Sequence, residues 1–106
     1  MPKYLWEVSY TAEGAKGLLK DGGTKRREAA AKALASVGAK LEAFYYAFGD
    51  ADVISIAEMP DRASVAAASL AITSTGAAQV RTTVLISPEE IDTATRKKIA
   101  YRAPGK

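Results

Sequence analysis

The sequence predicts an α+β domain: one four-stranded antiparallel sheet with its helices on a single side. Three observations point there. Segments of period two and period 3.6 follow each other as strand, helix, strand, strand, helix, strand, with a last helix appended. Gly, Pro and Asp punctuate the joints closely, with no linker and no internal repeat. The chain has 106 residues, of which 48% are hydrophobic and 25% charged, which suits one globular domain with one modest core.

Each element has its own signal. Lys3 to Tyr10 alternates strictly, with Tyr4, Trp6, Val8 and Tyr10 on one parity and Leu5, Glu7 and Ser9 on the other, as a strand does. Thr11 is placed to cap a short helix running to Lys20. Glu13 in its first turn suits the helix dipole, while Gly14 and Gly17 weaken it. Gly22-Gly23 breaks the chain, and Thr24 is expected to cap a stronger helix to Val37. Ala30, Ala33, Leu34 and Val37 share its apolar face, and Gly38 ends it as a left-handed cap. Lys40 to Phe48 and Val53 to Met59 read as two strands around the turn Gly49-Asp50-Ala51-Asp52. Pro60-Asp61 stops the third strand and opens an Ala-rich helix, Arg62 to Thr75, ending at Gly76. Ala78 to Ile86, rich in Val and Thr, is the fourth strand. In Ser87-Pro88-Glu89-Glu90 the serine caps, the proline fits the first helical position and Glu90 completes a capping box, so a final helix is expected to about Ile99.

This order is the split βαβ, ferredoxin-like pattern, whose right-handed crossovers bring both main helices to one sheet face. The other face should then be wet and polar, yet the strands supply no polar face. An even-length turn places Phe44, Tyr46 and Phe48 with Val53 and Ser55, and Ala43, Tyr45 and Ala47 with Ile54 and Ile56. The thin Ala-rich helices leave room for Tyr4, Trp6, Val8, Tyr45, Ile54, Ile56, Val80 and Val84 beneath them. That assigns Leu5, Glu7, Ser9, Phe44, Tyr46, Phe48, Val53, Ser55, Arg81 and Thr83 to the second face. An apolar, aromatic patch of that kind marks an interface or a ligand groove. A second copy packed sheet to sheet, giving a dimeric α/β barrel, is the economical expectation.

Several blocks in order carry a resemblance. Val8-Ser9-Tyr10-Thr11, Gly14-Ala15-Lys16-Gly17-Leu18-Leu19, Lys25-Arg26-Arg27-Glu28-Ala29 and Leu41-Glu42-Ala43-Phe44-Tyr45-Tyr46-Ala47-Phe48-Gly49-Asp50 resemble small bacterial proteins that carry a GYD domain. The likeness covers about residues 3 to 95. Gly49 and Asp52 match the family's Gly-Tyr-Asp signature, and Ala51 stands at its tyrosine position. The resemblance implies a ferredoxin-like, dimeric α/β barrel and no particular reaction. Residues 1–95 are expected to form this domain and residues 96–106 a basic tail.

Composition removes much chemistry. The chain has no Cys and no His. Disulfides, thiolate nucleophiles, structural zinc, iron–sulfur clusters and His-based triads are therefore excluded for it. Any catalysis would rest on Asp, Glu, Lys, Arg or Tyr, and no cofactor or metal is expected. No targeting or bilayer-spanning segment is visible, so a soluble cytoplasmic protein away from membranes is the expectation. The net charge of +3 is uneven. Residues 1–95 hold ten basic against all twelve acidic residues, while Arg96, Lys97, Lys98, Arg102 and Lys106 make the tail basic. Only Tyr101 interrupts that tail, so it reads as a solvated segment rather than a nucleic-acid footprint.

The candidate site residues are few. Asp50 and Asp52 form an acidic pair on the turn, suited to a hard cation or a general base, though turns favour Asp on conformational grounds alone. Gly22 to Arg26 puts free amides and two cations at a helix start, where anions bind, without the spacing of a P-loop. Glu7 and Arg81 are mid-strand charges on neighbouring strands. They either pair as a salt bridge or, with Ser9, Tyr46 and Ser55, orient a small polar ligand inside the barrel. Two readings follow: a homo-oligomeric module for small-ligand binding or assembly, or a cofactor-independent enzyme with Tyr46, Glu7 and Arg81 in acid–base roles.

Overall fold

A computed structural model of residues 1–106 resolves into β1 (Lys3–Tyr10), α1 (Ala12–Asp21), α2 (Gly23–Ala35), β2 (Lys40–Tyr46), β3 (Val53–Glu58), α3 (Arg62–Ser74), β4 (Ala78–Leu85) and α4 (Pro88–Arg96). The strands form one antiparallel sheet in the order β2-β3-β1-β4. This is the ferredoxin-like arrangement, with β1 and β3 central. Leu34 of α2 and Ala68 of α3 meet Tyr4, Trp6, Ala57 and the fully buried Met59 in one core cluster, so both helices cover the same sheet face. No helix is long and apolar enough to cross a membrane.

The caps explain most of the boundaries. The hydroxyl oxygens of Thr11 and Ser87 and the carboxylate of Asp61 accept the backbone N–H groups of Gly14, Glu90 and Ser64, and Ser87 with Glu90 forms a capping box. The Ser64 amide holds the Asp61 carboxyl below its ordinary range. The second helix starts differently from the expectation at Thr24. Gly22, at φ 81°, donates its N–H to the Leu18 carbonyl and also stands at the N-cap of α2. One left-handed glycine ends α1 and starts α2, so Thr24 falls inside the helix.

The second strand stops at Tyr46 instead of Phe48 because the Ala47 N–H donates to the Asp52 carbonyl at 2.8 Å and closes the loop there. The last helix ends at Arg96, short of Ile99. It buries no residue, and the molecule extends 57 × 32 × 23 Å with a radius of gyration of 17.0 Å. A compact chain of this size has about 13 Å. The excess reflects residues 86–106, which project from the body with Ile91, Ile99 and Tyr101 exposed.

Cross-strand register corrects the assignment of faces. Tyr4, Trp6 and Val8 lie opposite Ala57, Ser55 and Val53, and Phe44 and Tyr46 lie opposite Ser55 and Val53. All of these share the helix side. Leu5 and Glu7 lie opposite Ile56 and Ile54, with Ala43 and Tyr45 beyond, on the open side. The partners within the β2–β3 hairpin are those expected from an even turn. The hairpin as a whole is turned over, because its register with β1 places the opposite parity under the helices. A bulge between Leu41 and Ala43 takes up Glu42.

Candidate functional site

The open face is built as rows across the four strands. Tyr45, Ile54, Glu7 and Arg81 form one row, Ala43, Ile56, Leu5 and Thr83 the next, and Lys40, Glu58, Lys3 and Leu85 the third. No helix lies over them. Tyr45 is 71% exposed and Ile54 38%. Arg81 Nη2 donates to Glu7 Oε2 at 3.5 Å, and Lys3 Nζ stands 2.9 Å from Glu42 Oε1. That contact, with the Glu42 charge, holds the Lys3 ammonium above its ordinary range.

The five residues expected to line a common barrel surface do not share one. Glu7, Ser9 and Arg81 lie on the open face, whereas Tyr46 and Ser55 lie on the helix side. Ser55 is buried opposite Trp6. Tyr46 donates its phenol proton to the Gly23 carbonyl at 3.0 Å and meets Phe44 edge-on, with ring centroids 5.4 Å apart. The reversed hairpin is the cause, and it separates the acid–base set of Tyr46, Glu7 and Arg81 by the thickness of the sheet.

Glu7 and Arg81 do form a pair. In one chain their side chains are 32% and 62% exposed, so the contact is worth what a solvated ion pair is worth. A double-mutant cycle with Glu7→Leu and Arg81→Met, measured in dilute protein, should give a coupling of about 0.5 kcal/mol. Values of about 3–5 kcal/mol would require the pair to be buried.

The acidic turn is divided in use. Asp50 is exposed, whereas Asp52 Oδ2 accepts the Tyr10 N–H at 2.7 Å and the Asp52 N–H donates to the Val8 carbonyl at 2.8 Å. Asp52 fastens the hairpin to the end of β1. No three acidic side chains converge anywhere as a metal ligand set would. Ala51 is buried and contributes only a methyl group.

The helix side also holds a space, where sequence reasoning singled out no cavity. A cleft of about 310 Å³ opens between the sheet, α1, α2 and the end of α3. Val8, Phe44, Val53 and Ile72 form its apolar floor, and Tyr10, Glu13 and Arg26 bring polar groups to it. Burial, reinforced by the adjacent Tyr46 phenol and opposed by the Arg26 guanidinium, raises the Tyr10 pKa, so Tyr10 is a neutral donor at physiological pH. The only carboxylate within ion-pair reach of Arg26 is Asp21, at 3.6 Å, and Glu13 has no cationic partner. Gly14 and Gly17 of α1 both line the cleft. A Cβ at Gly17 would meet nothing within 4 Å. Two glycines three residues apart in a helix are the signal that could have revealed a groove.

The family model described as GYD domain matches residues 4–95. No curated protein and no solved structure matches the chain.

Proposed function

This chain belongs to the GYD domain family, and we propose that it works as a self-associating module in which two copies pack their open sheet faces together to form a barrel. The carrying observation is the uncovered central rows of the sheet, where Tyr45, Ile54, Ile56 and Leu5 form a contiguous apolar band. Water contact over such a band is costly, and its removal drives association.

The charges around the band favour a second copy of the same chain. Glu7 and Arg81 neutralise each other on one side of it, and Lys40, Glu58, Lys3 and Glu42 balance on the other. A two-fold interface sets a patch against itself. A patch whose charges sum to zero in each band meets its own copy without net repulsion. Association would also desolvate the Glu7–Arg81 pair and make it more sensitive to the loss of either partner.

Ile54→Lys tests the reading, because Ile54 is solvent-exposed in the single chain and its replacement leaves the core untouched. Sedimentation equilibrium should show wild-type dimers at micromolar concentration and a dissociation constant raised by roughly a hundredfold in the variant. A wild-type protein that stays monomeric at ~100 μM, in the affinity range where specific interfaces are normally populated, or a variant that dimerises as well as wild type, would overturn it.

A further inference from the structure

We propose that the cleft between α1, α2 and the sheet is a binding site for a small zwitterion with an apolar body, of which an aliphatic α-amino acid is the simplest example. The argument is one of complementarity, and it is independent of self-association because the cleft lies on the opposite side of the sheet. At about 310 Å³ the space is at the lower end of ordinary ligand pockets, which run from ~300 to 1,000 Å³. It is therefore sized for a metabolite rather than a peptide.

Its floor of Val8, Phe44, Val53 and Ile72 takes an aliphatic group. Its polar groups have both signs. Arg26 is solvent-exposed, with only a long contact to Asp21, and Tyr10 beside it is a neutral hydroxyl donor. Both suit a carboxylate. Glu13, from the first turn of α1, is an acceptor without a cation and suits an ammonium group. A plain carboxylic acid would leave Glu13 facing a second negative charge, and a plain amine would do the same to Arg26 with a positive one. A ligand with both groups meets the two exposed charges at the mouth of the cleft with opposite charges of its own.

The positions that shape the site are equally specific. Gly17 leaves open the volume that a side chain on α1 would occupy. A larger side chain there would narrow the cleft with no clash at its Cβ, and a residue other than glycine also favours the helix.

The test uses L-leucine, 4-methylpentanoate, which lacks the ammonium, and 3-methylbutylamine, which lacks the carboxylate. Binding is measured by calorimetry and by amide shifts in nuclear magnetic resonance spectra. L-Leucine should bind saturably, at least about tenfold more tightly than either truncated probe, with the largest shifts at Gly14, Gly17 and Ala78. Glu13→Gln should reduce L-leucine to the level of 4-methylpentanoate, and Arg26→Gln to that of the amine. Gly17→Leu should abolish binding while raising the melting temperature, which separates a filled cleft from a misfolded protein. The proposal is overturned by equal affinity for L-leucine and 4-methylpentanoate, by undiminished binding to Gly17→Leu, or by no binding of any probe at ~10 mM, beyond the millimolar range of even weak small ligands.

Discussion

Gly14→Ala should lower the midpoint of thermal unfolding by on the order of 15 °C, equivalent to roughly 3 kcal/mol for a domain of this size. A Cβ at position 14 would stand 2.1 Å from the Ala77 carbonyl oxygen and 2.7 Å from Tyr10 Cδ1. The carbonyl cannot move away alone. It accepts the Thr11 N–H at 3.0 Å, and the Thr11 hydroxyl donates to the neighbouring Gly76 carbonyl at 2.7 Å. These bonds lock the start of α1 to the turn between α3 and β4, so a methyl group at Gly14 must pry the two apart. Gly17→Ala, one turn along the same helix, is the control. There the new methyl meets nothing and the gain in helix propensity should stabilise the protein by about 0.5–1 kcal/mol. The same substitution with opposite signs at two positions of one helix isolates steric contact from propensity. If both variants melt alike, the close approach at Gly14 is not holding the junction.

Asp52→Ala should cost about 1.5–3 kcal/mol, read as a lower midpoint in urea with an unchanged slope. The substitution removes the carboxylate that accepts the Tyr10 N–H at 2.7 Å and leaves that donor half-buried without a partner. The backbone of Asp52 is bonded on both sides, to Val8 and to Ala47, so the loop keeps its path and the loss is confined to the side chain. Asp52→Asn retains a neutral acceptor and should lose about half as much. Asp50→Ala, at the exposed position two residues away, should change stability by less than ~0.5 kcal/mol. Equal effects at Asp50 and Asp52 would refute the structural role given to Asp52. In this chain the Asp52 carboxylate thus joins the hairpin to the first strand.

The sheet shows where reading the sequence succeeds and where it stops. The partners inside the β2–β3 hairpin follow from an even turn, and Phe44, Tyr46, Val53 and Ser55 do share a face. Which side of the sheet that face occupies does not follow, and Ser55 and Tyr46 lie under the helices instead of beside Glu7 and Arg81. Between β1 and β2 the chain passes through the whole Thr11–Ala39 crossover, and no short turn carries parity across it. By contrast, Glu7 and Arg81 were legible as a pair. Each has its parity defined against neighbours within its own strand, and the topology makes those strands adjacent.

Local chemistry written in the sequence determined the order of the elements, the caps at Thr11, Asp61 and Ser87, the left-handed glycine at Gly38 and the ferredoxin-like pattern they add up to. These are interactions among residues within a few positions of one another, and their geometry is the same in any protein. The tertiary structure alone decided the orientation of the hairpin, the separation of Tyr46 and Ser55 from the open face, and the convergence of Tyr10, Glu13 and Arg26 on one cleft. A period of two tells which residues of a strand share a face but carries no sign, so the choice of side falls to the packing of distant elements. Here that packing buries Val53, Ser55 and Ala57 beneath the helices and leaves Ile54 and Ile56 on the face that no helix covers.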